Sequence, residues 1–68
     1  MRYAVVIEWA GNNFSAYVPD LPGCVATGAT PEETRREIAE AIRFHIEGLE
    51  LAGEHVPEPQ AQSEYVDA

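Results

Sequence analysis

The side chains able to do chemistry are few. One cysteine, Cys24, and two histidines, His45 and His55, are the only soft or borderline groups in the chain. A cysteine nucleophile needs a base or a cation beside it to hold the thiolate. No local motif ties either histidine to Cys24. His45 falls among Ile42, Ile46 and Leu49, and His55 lies in a loop beyond Gly53. Cys24 therefore reads as a small packing residue at the start of a strand, and His45 as a partly buried one. Three such groups at these spacings do not make a structural zinc site. A lone cysteine also leaves no intrachain disulfide.

The carboxylates come next. Glu8 and Asp20 are the acids that a sheet would carry outside the tail. A two-metal nuclease centre needs several converging carboxylates, and the remaining acids fall mostly on one polar helix face. Asp20 sits between two prolines and is expected to bond backbone N–H groups of its own turn. No catalytic residue, metal or cofactor is expected.

Charge narrows the partners. Twelve acidic residues against four arginines and no lysine give a formal net charge of −8. Nucleic acids draw affinity from cations that neutralise phosphates, so neither they nor an anionic membrane are expected partners. A basic protein fits such a surface, although negative charge also serves solubility. The apolar run near Met1 is broken by Glu8 and is too short for a signal peptide. Nothing approaches the ~20 apolar residues of a membrane span, and the cytosol is the expected compartment.

The elements that must position these groups follow from periodicity. Tyr3, Val5, Ile7 and Trp9 alternate with Ala4, Val6 and Glu8, the period of a strand. Ala10-Gly11-Asn12-Asn13 supplies turn residues, and Phe14 to Val18 alternates again, giving a hairpin. Pro19-Asp20-Leu21-Pro22-Gly23 ends that strand, and Cys24 to Gly28 reads as a third. Thr30 is a candidate N-cap, Pro31 suits the first helical position, and Glu33 completes a capping box. Ile38, Ala39, Ile42, Ile46 and Leu49 then form one apolar stripe, and Gly53 is the expected stop. The opposite face carries Glu32, Arg36, Glu40, Arg43, Glu47 and Glu50, spaced so that acids flank each of those arginines. The expected fold is α+β: an antiparallel sheet of three to four strands with one helix on one face, in the order β-β-β-α-β. Residues 1–57 form the domain, and 58–68 a tail that returns as a final edge strand or stays frayed.

One motif points to a family. Tyr17-Val18-Pro19-Asp20-Leu21-Pro22-Gly23-Cys24, followed by Gly28, Thr30, Glu32-Glu33 and a helix ending near Gly53, resembles the HicB-like antitoxins. Val56-Pro57-Glu58-Pro59 resembles a loop of the same family. The resemblance implies a partly degraded ribonuclease-H-like domain that binds a HicA-like toxin, a small basic RNA-cleaving protein, and masks its catalytic histidine. It also implies that Pro19, Asp20, Leu21, Pro22, Gly23 and Cys24 mainly preserve the fold. Many members carry a C-terminal DNA-binding domain. No such segment follows here before Ala68, so operator binding by this chain alone is not expected.

Exposure logic names Glu8, Trp9, Tyr17 and Asp20 as candidate partner-binding residues, since tryptophan and tyrosine are frequent interface anchors. The plainer reading of the aromatics is that they complete a thin core. A stand-alone oligomeric scaffold or small-ligand module is the competing reading of the whole chain. A 68-residue domain buries only ~60% of its unfolded surface, and without disulfide or metal its missing stability points to a homo-dimer or higher homo-oligomer.

Overall fold

The computed structural model describes residues Met1–Ala68. Its elements are β1 (Val6–Trp9), β2 (Phe14–Tyr17), β3 (Val25–Gly28) and α1 (Pro31–Leu51). The strands form one antiparallel sheet in the order β1-β2-β3, with α1 packed across one face. This is the expected α+β arrangement with three strands.

Each turn has a local cause. Between β1 and β2 the Ala10 amide donates to the Asn13 carbonyl at 2.7 Å, and Gly11 takes φ +101°. Glycine adopts this left-handed backbone without a Cβ clash, which lets the chain reverse there. β1 is shorter than the alternation from Tyr3 suggests. The register pairs Val6 with Tyr17. Two residues further it would set Ala4 opposite Pro19, which has no N–H to offer a ladder.

The loop from Val18 to Cys24 is two turns in succession. The Leu21 amide donates to the Val18 carbonyl and the Cys24 amide to the Leu21 carbonyl, each at 3.0 Å. Pro22 and Gly23 occupy the centre of the second turn, and the φ of +85° at Gly23 is the value a type II turn demands there. Folded this way, the loop turns Leu21 inward. It is completely buried with Ala16, Val18, Cys24 and Ile38, and these five residues are the hydrophobic core. Tyr3, Val5, Ala26, Ala41, Ile42 and Ile46 pack around them, half-buried.

Helix α1 begins as its capping residues dictate. The Glu33 amide donates to Thr30 Oγ1 at 3.0 Å. The Glu33 carboxylate accepts from the Ala29 amide at 2.8 Å, one residue before the cap, where the box was expected to close on Thr30 itself. The helix ends in a Schellman motif. The Gly53 amide donates to Glu50 O at 3.1 Å and the Glu54 amide to Leu49 O at 2.8 Å, with Gly53 at φ +70°. On the polar face the alternating charges were expected to neutralise both arginines. The ion pair present is Arg43 with Glu40, and Arg36 forms none. Exposed pairs gain little in water and lose side-chain freedom, so spacing alone does not close them.

Two contacts tie distant parts together. Gly28 lies against the first turn of α1. A Cβ there would stand 2.6 Å from Thr34 Oγ1 and 2.7 Å from the Thr34 amide. Thr34 is fully buried, and its hydroxyl donates to the Thr30 carbonyl at 2.7 Å. The tail is held differently. Asp20 Oδ2 accepts from the amides of Gln60, at 3.1 Å, and Ala61, at 3.0 Å. The Tyr3 hydroxyl donates to the Pro57 carbonyl at 2.6 Å. Asp20 therefore bonds backbone some forty residues away and not its own turn. The possible final strand does not form. Residues 62–65 border a cleft beside β1, but the amides that begin the returning segment are taken by Asp20.

These contacts set two expected outcomes. Gly28→Ala should destabilise the fold by about 1–3 kcal/mol, because the added methyl meets the Thr34 backbone and a Thr34 hydroxyl held by its bond to the Thr30 carbonyl; urea unfolding with an unchanged m-value measures this. Asp20→Ala should speed amide exchange at Gln60 and Ala61 by about tenfold while leaving the Ala16 amide protected. Equal rates in both proteins would show that the carboxylate does not hold the tail.

Candidate protein-interaction surface

With one helix on a three-stranded sheet, one sheet face stays open. The register decides what it displays. Successive residues of a strand point to opposite faces, and Ala16, Val18 and Ala26 lie on the helix side. Val6, Glu8, Ser15, Tyr17, Val25 and Thr27 therefore face the other way. Cross-strand pairing arranges them in two rows. Val6, Tyr17 and Val25 form an apolar row, and Glu8, Ser15 and Thr27 a polar one. Tyr17 is 44% exposed and Val25 65%, and Glu8 is exposed beside them.

The four candidate residues are not one patch. Glu8 and Tyr17 share the open face. Trp9 points to the helix side at the hairpin end of β1, where α1 no longer covers it, and is 60% exposed. It pairs with Phe14 across the strands, and the two rings meet edge to face at 5.0 Å between centroids. Asp20 is half-buried in its loop and engaged with the tail.

Phe44 escaped the sequence reading. It stands in α1 between Arg43 and His45, off the apolar stripe, and is 81% exposed. A large apolar residue outside its helix's stripe was the available signal.

The titratable groups do not converge. No three His, Cys, Asp or Glu side chains gather within reach of a metal ion. Cys24 is buried, and burial pushes its thiol above the ordinary value, away from the thiolate a nucleophile requires. His45 is half-buried in α1 and His55 is exposed beyond it. Burial, and then the carboxylates of Glu58 and Asp20, raise the Tyr3 hydroxyl, which keeps its proton for the Pro57 carbonyl. No helix is long and apolar enough to cross a membrane.

Comparison with known proteins places this architecture. The family described as the HicB-like antitoxin of bacterial toxin–antitoxin systems matches residues 3–68. A UPF0150 protein of Thermoplasma acidophilum is 38% identical over 69 residues, covering 100% of both chains. A UPF0150 protein of Helicobacter pylori is 47% identical over 50 residues, 74% of this chain and 69% of that one. An uncharacterised 14.9 kDa protein of Haemophilus phage HP1 is 36% identical over 67 residues. The match takes in 98% of this chain and 50% of the phage protein, so the chain spans half the length of that relative. Among solved structures, a chain of a HicA3 and HicB3 toxin–antitoxin complex superimposes with a TM-score of 0.76 at 32% identity. That superposition covers 88% of this chain and 70% of the other. A family match over almost every residue, together with the shared fold, means that the chain belongs to the HicB-like antitoxin family of bacterial toxin–antitoxin systems.

Proposed function

We propose that this chain binds a small, basic, RNA-cleaving protein of the HicA type and masks its active site, doing no chemistry itself. The observation that carries the reading is the likeness to a chain of the HicA3 and HicB3 complex. Charge supports it: a surface of net −8 attracts a basic partner from a distance and raises the rate of encounter. The lack of converging acids and the raised thiol of Cys24 also favour binding over catalysis. The cytosol, where such a toxin meets RNA, is the compartment of this reading.

The open sheet face is the docking surface in this proposal. Tyr17 is its anchor, an aromatic ring in the middle of an apolar row, and Glu8 supplies charge at its side. Trp9 touches the partner from the hairpin end. Asp20 acts indirectly, by fixing where the tail leaves the domain. A second reading, a stand-alone module with no toxin, draws support from the Thermoplasma relative, which this chain matches from end to end.

Co-expression with a HicA-like toxin should restore growth, and calorimetry should show a complex that weakens as salt rises. Tyr17→Ala should lose about 2 kcal/mol of binding, roughly 30-fold in Kd, and Glu8→Lys should slow association. Neither rescue nor complex formation would favour the stand-alone module.

A further inference from the structure

The outer backbone of β3 is unused. In an antiparallel ladder, residue pairs alternate between those that exchange hydrogen bonds and those that do not. The Val18 amide donates to the Cys24 carbonyl at 3.2 Å. Stepping by two along the register makes Ala16–Ala26 and Phe14–Gly28 the bonded pairs of β2 and β3. The N–H and C=O groups of Val25 and Thr27 therefore point outward, away from β2. Helix α1 leaves that edge open and forms one wall of a shallow groove beside it. Glu37, Glu40, Ala41 and Phe44 make up the wall, and Ala26 and Thr27 lie on the strand side. Offsets of three, four and seven residues set the four helix residues on one stripe. The charge along this groove has one sign, since two carboxylates and no cation line it. Glu37 is exposed and in no ion pair, and the partner of Glu40 is Arg43, in an exposed pair that is worth little in water.

We propose that β3 takes up an extended, basic segment of the partner protein as an added strand, with alternate lysine or arginine side chains entering the groove. The inference deepens the proposed function and rests on it in taking the partner to be basic. Val25 and Thr27 supply the backbone bonds of strand addition. A segment residue opposite either of them turns its side chain to the open sheet face, and a residue opposite Ala26 turns its own toward α1. Side chains on that helix side repeat about every 7 Å along the segment. Neighbours on one helix stripe stand about 5–6 Å apart, so two alternate basic residues meet Glu37 and Glu40. Their methylene stems lie along Ala41 and the ring of Phe44, which is 81% exposed. The open-face positions of the segment run beside Val25, the end of the apolar row, so a partner seated on Tyr17 reaches the edge without a break. Other occupants fit worse. The Val25-Ala26-Thr27-Gly28 strand of a second copy has no cation to set against the two acids, and a nucleic acid would be repelled by them.

Nuclear magnetic resonance of the chain with a synthetic peptide alternating valine and lysine tests this, the control being the same peptide with glutamate in place of lysine. The lysine peptide should shift the amides of Val25 and Thr27 and the ring of Phe44, and slow the exchange of both amides with water. The glutamate peptide should do neither, and binding of the lysine peptide should weaken as salt rises. A variant carrying Glu37→Gln and Glu40→Gln, both at exposed positions, should keep the fold and raise the peptide Kd about three- to tenfold. Unmoved Val25 and Thr27 amides, equal binding of the two peptides, an unchanged Kd in the double variant, or an edge already protected by a second copy in the free chain would each overturn the proposal. No toxin takes part, so a negative result leaves the toxin reading standing. A HicA-like toxin that fails to bind sinks that reading without touching the peptide result.

Discussion

One contact organises the domain: the seating of Ile38 of α1 against Ala16, Val18, Leu21 and Cys24. In so small a core, each of these side chains carries an unusual share of the burial that offsets chain entropy. The two consecutive turns from Val18 to Cys24 exist to place Leu21 there. Pro19, Pro22 and Gly23 set the turn geometry, and Leu21 fills the space they create. The Pro-Asp-Leu-Pro-Gly-Cys motif is thus a core element folded out of a loop. Its polar member faces outward and reaches the tail.

The same contact explains what remains exposed. A single helix seated over β2 and β3 covers one face only, and it leaves the hairpin end of β1 bare. Trp9, Tyr17, Val25 and Phe44 are then exposed by geometry and not by chance. On a chain of net −8 these apolar groups lie in an acidic field, which suits a surface that meets another protein.

Much of the fold was legible because its signals were local. Period-two alternation located the hairpin, and Thr30, Pro31 and Glu33 marked the start of α1 to the residue. Two local details also departed from expectation, the partner of the Glu33 carboxylate and the unpaired Arg36, but the larger failures were long-range. Asp20 looked like a residue serving its own turn, and nothing near it in the chain reveals that Gln60 and Ala61 will arrive to use its carboxylate. The tail from Ser63 to Asp67 had strand character, but whether it joins β1 depends on how the preceding amides are already engaged. Thr34 drew no notice in the sequence, and its burial follows from the close approach of Gly28, a contact made only once β3 and α1 have docked. The candidate surface was half legible. Glu8 and Tyr17 share a face because they sit on the same side of the register, while the position of Phe44 off the apolar stripe was the one exposed anchor that could have been read and was not.

The central claim is that the bare sheet face is where this antitoxin-family domain meets its protein partner. The most direct measurement is nuclear magnetic resonance of side-chain signals as a HicA-like toxin is added. The account predicts that the Val6 and Val25 methyls and the Tyr17 ring shift and broaden, while the Ile38 methyls and the outer helix face around Arg36 and Glu47 stay in place. Perturbation confined to the helix face, with Val6, Tyr17 and Val25 unmoved, would contradict it.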